Sequence, residues 1–573
     1  MKKIIFLVVL VAFAGLLFSC NDSGSSSNTL ALVLMGQSDN NSNSSGGGGD
    51  SGGGEQGGGS GGGEQGGGET GGGGDETVID TTVAISGTNV LLQGFNWSSN
   101  FHDRYYGDTA ADNWIMGTYS DGAPSGSKDW YDVVSANASK IKNAFEYVWF
   151  PPAEDSNSDN GYMPRKLDVL WSFYGTPTEL SSAISSISPA KAICDIVINH
   201  RVGTSNWGTF TEPAFCEDYY AICSDDEGFS ATGSDMYGSS NKGAADTGEG
   251  YDSARDLDHT NWDVQNGIVT WMTDKLKACG FVGWRYDYVK GFDGRYVGYY
   301  NAQTSAQFSV GEHWPTDGFD YTNPKAWSDQ FESWVASTSE SIKTDSDDYS
   351  SMTETKIAGR DQAGSPSRVF DFVTKGMLNT VFGYSSKNNG VVSSTSGTFN
   401  YSLLKNAYLG LKKMPESVVT FIDNHDTGST QQLWELNQNY VGTAYAFILT
   451  HPGYPCVAWQ HYFTAAESYD TTVSGNASQY IGGNTVPGTS LTYREFIYSL
   501  IKLRAEVGIT DSSIVSVWDE TDSSMYLAQV TGTNGTLVVN IGAEYDMSAN
   551  ANAASYKLAA SGTNFKIWKN ISE

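Results

Sequence analysis

Ala192-Ile193-Cys194-Asp195-Ile196-Val197-Ile198 is apolar at every position but one and runs straight into Asn199-His200-Arg201. A strand with one wet face alternates; an unbroken apolar run suits a strand buried on both faces, in a parallel sheet sheathed by helices. Seven further runs of this kind recur, at residues 90–95, 146–150, 281–286, 308–311, 369–372, 418–422 and 455–459. Between them, segments such as residues 130–143 and 262–278 carry apolar side chains at helical spacing. Eight strands with helices between them over ~400 residues predict an α/β fold, a (β/α)8 TIM barrel. Periodicity cannot count closure, so a doubly wound sheet stays open as the alternative.

Two departures from that rhythm matter. Residues 201–260 are rich in Gly, Ser and Asp and too long for a simple connection, which predicts a loop domain inserted after the third strand. Past Gly508 the pattern changes to short strands and turns, as at residues 524–530, 536–541 and 564–569, which predicts a separate C-terminal antiparallel β-domain over residues 508–573. The barrel then occupies residues 81–507. Residues 465–491 read as an insertion after the eighth strand.

The ends of the strands carry the chemistry. The third run ends Asp195-Ile196-Val197-Ile198-Asn199-His200-Arg201, and the fourth ends Arg285-Tyr286-Asp287-Tyr288-Val289-Lys290-Gly291. The fifth ends Gly311-Glu312-His313-Trp314 and the seventh Asp423-Asn424-His425-Asp426. One Asp after a strand is most often a turn or a helix cap. Four acidic strand ends, in order on one barrel, are the equipment of glycoside hydrolysis. That reaction needs one carboxylate at an oxocarbenium-like centre and one carboxylic acid to protonate the departing oxygen. Arg285 lies two residues from Asp287, hence on the same side of a strand, where it holds that carboxylate ionised. The aromatic and apolar neighbours of Glu312 raise its pKa toward general-acid range.

Composition narrows the partners. Lys and Arg total 33 against 65 Asp and Glu, a net charge of −32, which repels phosphate backbones and anionic lipid headgroups and excludes nucleic acid as a partner. The 16 Trp, 32 Tyr and 25 Phe suit a large core and stacking on uncharged rings such as sugars. A monomer is expected. Of the cysteines, Cys216 and Cys223 are the pair placed for a local disulfide, while Cys194, Cys279 and Cys456 sit in or beside apolar runs as small core residues.

Lys2 and Lys3 precede an apolar run over residues 4–18, too short to span a bilayer but fit for an export signal, residues 1–19. The run ends Leu17-Phe18-Ser19-Cys20, which resembles the lipobox of bacterial lipoproteins and implies a lipid anchor on Cys20. Residues 20–80, Ser/Asn-rich and then Gly-rich, cannot bury a core and read as a flexible tether. The expectation is export and attachment to a bacterial membrane by lipid alone, on the outer membrane, with cell-surface display favoured over the periplasm.

The strand-end motifs, together with Leu92-Gln93-Gly94-Phe95-Asn96-Trp97, Gly161-Tyr162-Met163-Pro164 and Asp256-Leu257-Asp258-His259, resemble the alpha-amylase family of glycoside hydrolases over about 480 residues. The likeness is strongest to plant-type members, at Val289-Lys290-Gly291 and Asn424 through Gln431. It implies Asp287 as nucleophile, Glu312 as general acid/base and Asp426 as the carboxylate that stabilises the transition state. Arg285 would orient Asp287; His200 and His425 would hydrogen-bond the sugar, Tyr162 would stack under it, and Lys290 and Trp314 would line its path. It also implies Ca²⁺ held by Asn199, Asp246, Asp256 and the carbonyl of Gly291, hard oxygen donors of the kind calcium takes. The expected activity is retaining endo-hydrolysis of alpha-1,4 bonds in starch, glycogen and maltooligosaccharides. A glycan-capturing lipoprotein without catalysis and a transglycosylase on the same residues are the competing readings.

Overall fold

The structure, a computed structural model, describes residues 79–100, 106–107, 118–119, 129–204, 208–215, 218–227, 243–343, 361–428, 430–468, 477–519 and 521–572. The expected runs all form strands: β1 (Leu91–Gln93), β2 (Tyr147–Phe150), β3 (Lys191–Ile196), β4 (Gly283–Tyr286), β5 (Ser309–Gly311), β6 (Arg368–Phe370), β7 (Val418–Phe421) and β8 (Tyr454–Ala458). Each pairs in parallel with its neighbours in chain order, and β1 pairs with both β2 and β8. The sheet is therefore a closed barrel, and the doubly wound alternative is excluded.

Closure explains the unbroken hydrophobicity. Of the four residues in each of β2, β4 and β7, all are buried, half toward the barrel interior and half toward the helices. At β5 the fit is tight enough to require glycine: a β-carbon on Gly311 would lie 2.2 Å from the Trp334 ring. That helix, Lys325–Thr338, thus packs directly on the strand that delivers Glu312.

The helix predicted over residues 130–143 is interrupted. Trp130–Ala136 and Ala138–Ala144 meet at Asn137, whose side-chain amide donates to the carbonyls of Val133 and Glu467. In the loop domain, His200–Arg201 pairs antiparallel with Arg255–Asp256. Buried Arg201 gathers the carbonyls of Arg165, Thr211 and Pro213, which fastens the start of the excursion to the barrel.

The helix Tyr493–Val507 stops at Gly508, whose φ of +70° ends it in a left-handed cap. A five-stranded antiparallel sheet follows: β9 (Ile514–Val517), β10 (Met525–Thr531), β11 (Thr536–Gly542), β12 (Tyr556–Gly562) and β13 (Phe565–Asn570), in the spatial order β9-β10-β11-β13-β12. It rests on the barrel through buried contacts such as His451 Nε2 to the Tyr526 hydroxyl at 2.8 Å. Cys194, Cys223 and Cys456 are buried free thiols and Cys279 is half-buried. Cys20, the tether and Cys216 lie outside the described residues. Among those described, no helix is long and apolar enough to cross a membrane.

Candidate active site

The site is assembled by register. Arg285 on β4 stands opposite Asp195 on β3, so both side chains leave adjoining strands at one level, inside the barrel. Arg285 Nη1 donates to Asp195 Oδ1 at 2.7 Å and to Asp287 Oδ1 at 2.6 Å, while Nη2 lies 2.7 Å from Glu312 Oε2. The Trp149 ring packs 4.9 Å from the guanidinium carbon, and its Nε1 donates to Asp195 Oδ2. Side chains of Arg285 and Asp195 are sealed from solvent, whereas those of Asp287, Glu312 and Asp426 keep 13%, 10% and 14% exposure. One buried cation thus stands behind a group of carboxylates that can be reached from outside. Immediately after Asp287, Tyr288 takes a left-handed backbone conformation, φ +45°, that turns the chain away from the strand.

Burial raises the Glu312 carboxyl well above the usual carboxylate range, and nearby Asp287, Asp426 and Asp195 add to this against the pull of Arg285. Proximity to Arg285 does not reverse that direction, because burial outweighs the pull of the guanidinium. Asp426 is pushed up to about 7, chiefly by burial, and Asp195 to about 6. Carboxyl groups of different proton affinity therefore share one pocket, the arrangement that divides acid from base.

The loop after β7 supplies the opposite wall. Asn424 Oδ1 accepts from the backbone of Asp426 and Thr427, and buried Lys375 holds Asp423 at 2.6 Å, so the turn carrying His425 and Asp426 is fastened at its root. His425 Nδ1 meets Gln93 Nε2 at 2.9 Å, and its Nε2 lies 2.8 Å from the Tyr162 hydroxyl and 3.1 Å from Asp426 Oδ2. Burial, with Arg285 nearby, lowers the His425 pKa well below its usual value, so the ring is neutral. With the Gln93 amide nitrogen facing Nδ1, the ring proton sits on Nε2 and is donated to the Tyr162 hydroxyl. The Tyr162 hydroxyl donates onward to Asp195 at 2.8 Å. Tyr162 and His425 stack at 5.3 Å and 8°, and Trp97 lies parallel to both at 6.0 Å.

The other expected sugar contacts are dispersed around this centre. His200 is buried, stacked on Tyr251 at 3.9 Å, with Nε2 3.0 Å from the Tyr162 carbonyl, so in this state its nitrogen is engaged by protein. Trp314 stacks on Phe372 at 5.0 Å and faces Trp434. Lys290 reaches Glu249 at 3.1 Å, on the loop-domain side.

The residues named for calcium do converge. Asn199 Nδ2 donates to Asp256 Oδ1, and Asn199 Oδ1 presses on Gly291, where a β-carbon would come within 2.0 Å of it. Asp246 Oδ1 accepts from the backbone of Thr247 and Gly248, but its Oδ2 is buried with no hydrogen-bond partner among the described residues. Burial raises Asp256 to about 9, and the charges of Asp246 and Asp226 add to it. An orphaned carboxylate oxygen beside a second buried carboxylate, an amide oxygen and a glycine carbonyl is a donor set that fits a hard cation. Among the described residues, no three His, Cys, Asp or Glu side chains form a metal-holding group. This set is of another kind, with two carboxylates and two neutral oxygens.

Sequence reasoning passed over Gln93, Trp97 and Trp149 as functional side chains. Gln93 and Trp97 stand in the quoted stretch Leu92 through Trp97, where a polar residue inside an apolar strand is the available signal. Trp149 sits in an all-apolar strand and is indistinguishable there from core. Gln431 Nε2, 3.3 Å from Asp426 Oδ1, becomes visible only when the loop folds back.

The family model described as the alpha amylase catalytic domain matches residues 141–460, and that of the alpha-amylase C-terminal beta-sheet domain matches residues 506–569. "Probable alpha-amylase 2" of Arabidopsis thaliana is 27% identical over 508 residues, 86% of this chain and 97% of the relative. A glucan 1,4-alpha-maltotetraohydrolase of Roseateles saccharophilus is 23% identical over 84% of this chain and 73% of its own. Among solved structures, the alpha-amylase of Geobacillus thermoleovorans complexed with acarbose superposes with a TM-score of 0.51 at 13% identity, covering 85% of this chain and 98% of that one, a likeness of fold. The catalytic-domain match alone takes in more than half of the sequence, and on the barrel and strand-end site just described it makes this chain a member of the alpha-amylase family, a glycoside hydrolase.

Proposed function

We propose that this enzyme hydrolyses internal alpha-1,4-glucosidic bonds of starch, glycogen and maltooligosaccharides with retention at the anomeric carbon. The observation that carries the reading is the single guanidinium of Arg285 facing Asp195, Asp287 and Glu312 at once. Asp287 attacks the anomeric carbon as the bond to the leaving glucan oxygen breaks, and Glu312 gives that oxygen its proton. Water then attacks the glycosyl-Asp287 ester, passing a proton to Glu312 and freeing Asp287. Asp426, between His425 and Gln431, holds sugar hydroxyls and the developing positive charge. Arg285 and Asp195 position Asp287, and Tyr162 with His425 supplies the face on which the sugar ring lies. Lys290 and Trp314 are rim contacts in this reading, and His200, buried against Tyr251, holds the Tyr162 backbone through its carbonyl. Proton NMR of fresh maltoheptaose digests tests it: the alpha-anomer should appear first, and first appearance of the beta-anomer would exclude retention.

A second reading, release of fixed-length products from chain ends, has the maltotetraohydrolase relative in its favour. A soluble-starch digest decides between them. Rapid viscosity loss with mixed oligosaccharides supports endo-cleavage; maltotetraose alone at near-constant viscosity supports the other, and transfer products longer than the substrate would mark transglycosylation.

Calcium, in this proposal, is held by Asn199, Asp246, Asp256 and the Gly291 carbonyl, and when bound it ties the loop domain to the barrel by neutralising those carboxylates. The chain is anchored through acylated Cys20, and the ~60-residue tether, with a root-mean-square reach of ~40 to 45 Å, displays the barrel outside the cell. Mild proteolysis of intact cells should release active enzyme, and Cys20→Ser should abolish attachment. Activity that stays protected until the outer membrane is broken would place the enzyme in the periplasm.

A further inference from the structure

We propose that Tyr480, from the insertion after β8, is a positioning residue for the aromatic wall of the active site, acting through Asn96 on Trp97. Tyr480 accepts a hydrogen bond from Asn96 Nδ2 at 2.6 Å, and the two residues are 5% and 2% exposed, so water cannot replace the acceptor. Asn96 organises the turn that carries Trp97. Its Oδ1 accepts from the Ser98 backbone at 2.8 Å, its own N–H donates to Ser99 Oγ at 2.9 Å, and its carbonyl accepts from the Ser99 N–H at 3.0 Å. Trp97 is thus bracketed on both sides by bonds to one asparagine, and that asparagine is fixed from outside the turn by Tyr480.

The segment bearing Tyr480 is itself held. The Ile481 N–H donates to the Gln460 carbonyl, the Arg494 N–H to that of Gly482 and the Tyr493 N–H to that of Asn484. Gly482 packs so closely that a β-carbon would lie 2.5 Å from the Tyr462 backbone. Residues 480–484 are therefore a firm strut between the base of the last barrel helix and the turn after β1. Without it, the parallel stack of Trp97 on Tyr162 and His425, within 10° and 16°, loses its outer support.

This inference rests on the reading of that wall as part of the catalytic centre. Tyr480→Phe in the full chain removes one oxygen and keeps the ring. It should lower kcat/KM on maltoheptaose about 10-fold, the scale of one buried hydrogen bond, with the melting temperature nearly unchanged. The discriminating readout is the cycle with Trp97→Ala. If Tyr480 acts through Trp97, Tyr480→Phe costs nothing further in the Trp97→Ala background. Wild-type kcat/KM in Tyr480→Phe overturns the proposal, and so does a double variant whose loss is the product of the two single losses. Asp287→Asn separates the two levels. An inactive Asp287→Asn with an unaffected Tyr480→Phe rejects the strut and keeps the site, whereas an active Asp287→Asn rejects the site itself.

Discussion

Two buried acidic clusters stand about the C-terminal ends of β3 and β4, and they are compensated differently. Around the catalytic pocket, Asp195, Asp287 and Glu312 share a cation that the chain itself provides, Arg285, planted on β4 and sealed under the site. In the loop domain the nearby arginine, Arg255, is taken by Asp226 at 2.6 Å, and Asp246 keeps an oxygen with no hydrogen-bond partner among the described residues. Buried like charges need either a positive partner or a proton. The first cluster holds its cation as folded; the second, in the calcium proposal, takes one from solution. Catalytic electrostatics are thus built into the barrel strands, while in the calcium proposal attachment of the excursion depends on the medium.

The sharpest way to break this contrast is to remove the built-in cation. Arg285→Met leaves buried carboxylates unpaired, which costs about 3–5 kcal/mol, and it should abolish measurable starch hydrolysis. Asp195 and Glu312, already raised by burial and now without Arg285 to lower them, titrate higher still. A carboxyl raised in the fold contributes stability below its unfolded pKa and loses it as pH rises through the folded one. The variant's melting temperature should therefore fall from about pH 4 upward; a profile parallel to wild type would contradict the role given to Arg285. Next in size is Glu312→Gln, expected to cost about 10²- to 10⁴-fold in turnover of maltooligosaccharides. A glucoside with an activated leaving group should recover part of that in single-turnover glycosylation, and equal defects on both substrates would count against the proton-donor role. For the unmodified enzyme, the raised Glu312 carboxyl places the alkaline limb of kcat/KM well above the ordinary carboxylate range.

The second cluster answers to a smaller perturbation. Chelation should lower the melting temperature and Ca²⁺ at 100 times its Kd should restore about 2.7 kcal/mol. Asp246→Asn should blunt that response while leaving Arg285 and its carboxylates in place. A melting curve unmoved by verified metal removal would mean that the two clusters do not differ as described.

The barrel was legible because its strands are buried on both faces, and residues such as Ile193, Val310 and Val419 advertise this without any partner being known. The acidic strand ends were legible for the same reason: Asp287 and Glu312 interrupt or follow runs where charge is costly. Other features depend on distant juxtaposition. Gln93 reads as a strand residue until His425, 332 positions away, arrives at 2.9 Å, and Tyr480 as loop until Asn96 meets it across 384 residues. The break at Asn137 escaped because an asparagine tolerated within a helix gains its reason only from the Glu467 carbonyl.

The central claim, that Asp287 is the nucleophile of a cluster compensated by Arg285, is tested most directly by trapping. A fluorinated maltosyl fluoride, slow to turn over once transferred, should raise the intact mass by one glycosyl unit, and digestion should place the label on the peptide containing Asp287. A label on Asp426 or Glu312, or unlabelled protein that releases the beta-anomer, would contradict the account.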